Sequence, residues 1–109
     1  MTVREISEAL QLKAISCPNP DREINGCYIG DLLSWVMGRA NADQVWITIM
    51  SNINIVAVAS LADVACVLLA EGVELEADVR KTAEAKGINV LSSSLDAYSL
   101  AVKLNSLLS

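Results

Sequence analysis

The sequence predicts an α/β domain, three layers deep and built on a mainly parallel sheet. Three observations predict it. Between Gly26 and Leu104, strand-like runs alternate with helix-like runs. Two strand runs, Gln44 to Ile49 and Ala65 to Ala70, are almost continuously apolar, as strands covered on both faces are. The last crossover ends in a helix that opens at Ser93-Ser94-Leu95-Asp96-Ala97-Tyr98. At 109 residues, the expectation is one domain spanning 1–109, with no linker, repeat or low-complexity tract.

Each element has a local reason. Thr2 and Glu5 have the spacing of a capping box, ahead of an apolar stripe of Ile6, Ala9 and Leu10. Leu12 to Ser16 reads as a short strand. Cys17-Pro18-Asn19-Pro20-Asp21 is a turn cluster, because both prolines fix φ and lack an amide donor. Ile24 to Ile29 is a second strand, interrupted at Gly26. Gly30-Asp31 is expected to open a helix, with Asp31 in the first turn and Leu32, Leu33, Val36, Met37 and Ala40 along its apolar face. Ile53 to Val64 has strand propensity and helical spacing at once. It is assigned to a helix starting near Asn54, because parallel neighbours need a crossover of about a dozen residues. This segment is the only one between the two buried strands. Glu71-Gly72 turns the chain. Leu75, Val79 and Ala83 share a helix face, with Gly87 as the stop. Ile88 to Ser92 is a short strand. Ser93 with Asp96 approximates a second capping box, and Ala97, Ala101, Leu104 and Leu108 line the last helix.

Composition narrows the classes of function. The net charge is −5, and Arg80-Lys81 is the only adjacent pair among eight basic residues. Nucleic-acid binding needs a concentrated basic footprint, so that partner is excluded, as is an anionic membrane surface. No run approaches the ~18 apolar residues of a membrane span. The opening Thr2-Val3-Arg4-Glu5 is not that of a signal peptide, and a cytoplasmic protein is expected. The chain is 53% apolar, with four aromatic residues (Tyr28, Trp35, Trp46, Tyr98) and no Phe. The core must be built from Val, Ile, Leu and Ala. The apolar surplus is expected to include a face buried in a homodimer, the plainer reading being that alanine inflates the figure. Three cysteines, with no close pair and no histidine, do not make a zinc site. Cys66 reads as a small buried hydrophobe and Cys17 as a loop thiol.

Candidate ligand residues follow from topology. Open parallel sheets bind ligands beyond the carboxyl ends of their strands, where helix N-termini offer free amides. Ser51, Asn52 and Asn54 follow one strand, Glu71 and Gly72 the next, and Ser93 the last. Each also has a structural reading: Asn52 or Asn54 as a helix cap, Glu71 as a solvated loop residue, Gly72 as a positive-φ turn, and Ser93 as a cap. Asp96 reads as a cap and Tyr98 as packed on the sheet with its hydroxyl at the rim. Catalysis lacks support. There is no histidine, no P-loop, no G-x-G-x-x-G and no G-x-S-x-G elbow. No cofactor is expected.

With these residues in hand, the chain resembles a stand-alone DRTGG domain from about Thr2 to Leu108. The resemblance rests on Thr2-Val3-Arg4-Glu5-Ile6, on Gly26-Cys27-Tyr28-Ile29-Gly30-Asp31-Leu32-Leu33-Ser34-Trp35-Val36-Met37, on Val45-Trp46-Ile47-Thr48-Ile49, on Asn54-Ile55-Val56-Ala57-Val58-Ala59 and on Asp96-Ala97-Tyr98. It departs at the residues that name the family. The Asp-Arg pair falls at Ser51-Asn52, and Thr-Gly-Gly falls at Ala70-Glu71-Gly72. The resemblance implies a fold like the N-terminal domains of HPr kinase/phosphorylase and of Mur ligases. It implies regulation rather than catalysis, since such domains accompany nucleotide-sensing CBS domains in some pyrophosphatases. The expected function is thus a non-catalytic, ligand-sensing domain that binds a small phosphate- or nucleotide-like ligand at the carboxyl edge of the sheet. The alternative is a protein-interaction adaptor for a signalling ATPase or an iron-hydrogenase-like partner, using apolar surface around Trp35 and Met37.

Overall fold

Strands that are apolar on both faces must be covered on both faces, and the chain meets that demand with helices above and below one sheet. In the computed structural model, which describes residues 1–109, Val45–Thr48 and Cys66–Leu69 are buried at every position. The elements in order are α1 (Val3–Ala9), β1 (Lys13–Ser16), β2 (Cys27–Ile29), α2 (Leu33–Arg39), β3 (Val45–Thr48), α3 (Asn54–Ala62), β4 (Cys66–Leu69), α4 (Ala77–Ala85), β5 (Val90–Ser92) and α5 (Ala97–Leu108). The strand order is β1-β5-β4-β3-β2. Strands β2 to β5 run parallel, with Val45 opposite both Cys27 and Cys66. β1 closes the sheet antiparallel to β5, its register slipping between Ala14 and Ser16.

Alternate side chains of the strands feed two separate cores. On one face Trp46, Val67, Leu69 and Val90 pack against Val36 of α2, Ile55, Val56, Val58 and Ala59 of α3, and Val79 and Ala83 of α4. On the other, Val45, Ile47, Cys66, Leu68 and Leu91 pack against Val3 and Ile6 of α1 and Leu100 and Leu104 of α5. The four parallel strands are laid down one after another in a single direction across the sheet. Right-handed crossovers therefore put α2, α3 and α4 on the same side. After β5 the chain changes sides.

Polar residues fasten the amino edge of the sheet. The buried Asn89 side chain donates to the carbonyls of Asn19 (2.8 Å) and Ala65 (3.0 Å) and accepts from the Asn19 amide (2.9 Å). Arg22 ties the Asp43 and Asp63 carboxylates together at 2.9 Å each. The Thr2–Glu5 capping box forms in both directions. Desolvation pushes the Cys27 thiol up to about 11, and burial raises Cys66 and Cys17 as well. All three are free thiols.

Several sequence expectations need correction. The second strand is confined to Cys27–Ile29, because Gly26 takes φ +153° and the Ile24 and Asn25 amides bond instead to the carbonyls of Met1 and Asp43. α2 starts at Leu33, so Asp31 lies outside its first turn. The Asp31 carboxylate is held by the Thr48 hydroxyl (2.8 Å) and the Ile49 amide (3.1 Å), which carries it away from the helix. The expected α2 stripe is also too wide: Leu32 and Met37 are 59% and 47% exposed. Ser93 and Asp96 do not form a box. Asp96 alone caps α5, accepting from the Ser99 amide at 2.7 Å, while the Ser93 hydroxyl accepts from Leu95. Tyr98 does not pack on the sheet; it is 78% exposed. The helix assigned to Ile53 to Val64 is present as Asn54–Ala62.

Two predictions follow from these fastenings. Asn89→Ala strips the buried Ala65 carbonyl and the Asn19 backbone of partners, and is expected to cost about 2 kcal/mol in urea unfolding. An unchanged midpoint would show the Asn19 turn to be held without it. Amide hydrogen bonds at Thr2 and Ser99 lower the pKa of Glu5 and Asp96 below their usual 4.5 and 3.8. A depressed carboxylate stabilises the fold above its unfolded value and loses that contribution as the pH falls through its folded one. The urea midpoint is thus expected to drop between about pH 5 and about pH 3. Asp96→Asn keeps a capping oxygen but cannot ionise, so it should drop less steeply; an identical pH profile would remove Asp96 from the effect.

Candidate functional site

The change of sides after β5 opens the sheet at one place. The loop leaving β4 heads for α4 on one face, and the loop leaving β5 heads for α5 on the other. Between diverging loops of this kind lies the crevice in which open α/β sheets take ligands. Here the crevice is a cleft of about 550 Å³, lined by Gly72 and Glu74 from the first loop, Ser92, Ser93, Ser94 and Leu95 from the second, Lys13 of β1, Lys103 of α5, and Ala9, Leu10 and Gln11 at the end of α1.

The two loops are fastened to each other. The Glu71 amide donates to Leu95 at 2.8 Å and the Gly72 amide to Ser93 at 2.7 Å, while the Ser93 amide donates back to Leu69 at 2.9 Å. Glu71 and Gly72 both take positive φ, +58° and +74°. A Cβ on Gly72 would meet no protein atom within 4 Å, so the glycine answers to the positive φ of the turn and not to crowding by the fold, and its surface stays open to the cleft. Lys13 donates to the Glu74 carboxylate across the cleft.

The six sequence-derived residues are not gathered into one site. Gly72 and Ser93 share the large cleft. Ser51 and Asn52 border a separate depression of about 370 Å³ with Ile53, Glu76, Asp78 and Val79. The Asn52 side chain is occupied there, accepting from the Asn54 amide at 2.9 Å as a cap-like turn. Two carboxylates on its rim suit that depression poorly to an anion. Asn54 and Glu71 line neither. Sequence reasoning missed Gln11, Lys13, Glu74 and Lys103, because their place in the cleft depends on β1 lying beside β5. No group of three or more His, Cys, Asp or Glu side chains comes together as a metal site. No helix is long and apolar enough to cross a membrane.

The DRTGG domain family model matches residues 5–107. No curated protein matches the chain. Among solved structures, the chain is similar to the CBS and DRTGG domains of the regulatory region of Clostridium perfringens pyrophosphatase, in complex with the activator diadenosine tetraphosphate, with a TM-score of 0.74 at 12% identity. The likeness covers 94% of this chain and 45% of that one, so this chain spans under half the neighbour's length. At that identity it shows the fold. With the family model running from Glu5 to Leu107 and the same fold in a structure that contains a DRTGG domain, the chain belongs to the DRTGG domain family.

Proposed function

We propose that this DRTGG domain is a regulatory, ligand-sensing domain that works by binding and not by turnover. Its ligand is a small phosphate- or nucleotide-like molecule at the carboxyl edge of the sheet. The observation that carries the reading is the cleft at the one point where the crossovers diverge, with hydroxyl-bearing loop residues and two lysines on its walls. Of the six edge residues, Gly72 and Ser93 are the ones we assign to ligand contact; Ser51, Asn52, Asn54 and Glu71 take structural or rim positions. A neighbour of similar fold that is described as a regulatory region complexed with a dinucleotide activator supports a nucleotide as the class of ligand. We place the domain in the cytoplasm, where such ligands report metabolic state.

Thermal unfolding against ATP, ADP, diadenosine tetraphosphate and inorganic pyrophosphate tests this. A ligand at about 100 times its dissociation constant stabilises by about 2.7 kcal/mol, several degrees for a domain of this size. We expect such a shift with the nucleotide recovered intact, and its loss in Ser94→Trp, which fills the cleft from an exposed position. A flat panel, or a shift that survives Ser94→Trp, would overturn the placement of the ligand.

A second reading is favoured by one surface. Leu32 just before α2, and Trp35 (52% exposed) and Met37 within it, are large apolar side chains left exposed around that helix, and Arg39 lies 3.7 Å over the Trp35 ring. Single exposed apolar side chains are ordinary, but several around one short helix offer apolar surface to a partner. We assign this surface to a homodimer; in the adaptor reading it receives a signalling ATPase or iron-hydrogenase-like protein instead. Light scattering at micromolar concentration is expected to give a dimer that Trp35→Glu dissociates. A monomeric wild-type protein would leave the surface to a different partner.

A further inference from the structure

We propose that Lys13 and Lys103, with the Ser92 hydroxyl and the Ser94 amide, hold a small molecule bearing two or more linked phosphates, and that Glu74 is a built-in competitor which the ligand must displace from Lys13. The proposal rests on the ligand-sensing reading above and names the chemistry and the control of the same cleft.

The distribution of charge points there. The chain is acidic overall, at −5. Arg4, Arg22 and Arg80 are matched by Asp21, by Asp43 with Asp63, and by Glu84. Lys13 from the first strand and Lys103 from the last helix are far apart in sequence, yet both reach one cleft. Lys103, like Arg39, Lys81 and Lys86, makes no ion pair, but it alone of these four reaches the cleft, and Lys13 makes a single pair, with Glu74.

An independent observation concerns Ser92. It is only 5% exposed, it lines the cleft, and none of the fold's side-chain hydrogen bonds uses its hydroxyl. Nor is that oxygen sealed off from solvent. A polar group so nearly buried is ordinarily bonded; this one has no partner within the protein. The amide of Ser94, two residues on, donates to no protein acceptor either. Two open donors and two ammonium groups around one space match the acceptor oxygens of a phosphate chain.

Glu74 sets which anions qualify. A single phosphate entering the cleft meets Lys103, but must break the Lys13–Glu74 pair to reach the second cation and then sits beside a freed carboxylate. A diphosphate brings a second charged group, which offsets that loss at Lys13. Glu74 thus lowers the affinity for every anion, and most for the smallest, as a repulsive element that sharpens selection.

Isothermal titration calorimetry with inorganic pyrophosphate, inorganic phosphate and ADP tests the scheme on the whole chain. The wild-type protein is expected to bind pyrophosphate and ADP more tightly than phosphate. Lys13→Met and Lys103→Met should each weaken pyrophosphate about tenfold, the scale of one charge-assisted contact. Ser92→Ala should weaken it by a smaller factor. Glu74→Gln should tighten all three probes and narrow the preference for pyrophosphate over phosphate. If wild-type protein binds but Glu74→Gln weakens binding as Lys13→Met does, Glu74 is a binding group and the competitor role is overturned. If all variants bind as wild type does, the lysine site is overturned while ligand sensing elsewhere on the edge survives. If neither wild type nor Glu74→Gln binds any probe, both readings fall.

Discussion

The rest of the structure depends on one constraint, the burial of β3 and β4 on both faces. A strand with apolar side chains all round has no face to offer water. Val45, Ile47, Cys66 and Leu68 must meet one layer, while Trp46, Val67 and Leu69 meet another. Crossover handedness commits α2, α3 and α4 to a single side. The opposite side is left to the two ends of the chain, so α1 and α5 are drawn together beneath the sheet. α5 can arrive there only if the chain passes from one face to the other after β5, and that passage opens the cleft. Core packing and the candidate site are therefore two results of the same burial requirement.

Burial also explains how much of the fold was legible in the sequence. β3 and β4 were readable because continuous apolar runs have few alternatives. α3 was readable against its own propensity: Ile55, Val56 and Val58 favour strands, but a parallel pair cannot be joined without a crossover, and the tertiary demand wins. The Thr2–Glu5 box was readable because it is purely local. The misses share a different character. Asp31 was placed in a helix by its neighbours in sequence, yet its carboxylate is claimed by Thr48 and Ile49, on the next strand and just beyond it. Tyr98, one turn into α5, reads as packed on the sheet, but Leu100 and Leu104 already fill the inner side of that helix and Tyr98 is exposed.

The site was legible only as an edge. Reading the carboxyl ends of strands places Ser51, Asn52, Glu71 and Ser93 along one rim, but gives no sense of which loops diverge. That needs strand order. The antiparallel return of β1 beside β5 brings Lys13 to the cleft, and the path of α5 beneath the sheet brings Lys103. Neither lysine sits in a motif. Periodicity even argues against noticing Lys103, which reads as the solvated flank of an amphipathic helix.

The departures from the DRTGG signature fall unevenly on this geometry. Ser51-Asn52, where the resemblance puts the family's Asp-Arg pair, sits by the smaller depression, and Asn52 serves the local turn there. Ala70-Glu71-Gly72, where the resemblance puts Thr-Gly-Gly, turns the chain through two left-handed residues. Glu71 takes φ +58° where a glycine would have done so freely, a conformation that costs an ordinary residue on the order of 1 kcal/mol. What holds it is the pair of amide bonds from Glu71 and Gly72 to Leu95 and Ser93. Those bonds clamp the β4 loop to the β5 loop and so define one wall of the cleft. The left-handed backbone at Glu71 is thus part of the clamp that shapes the β4–β5 edge.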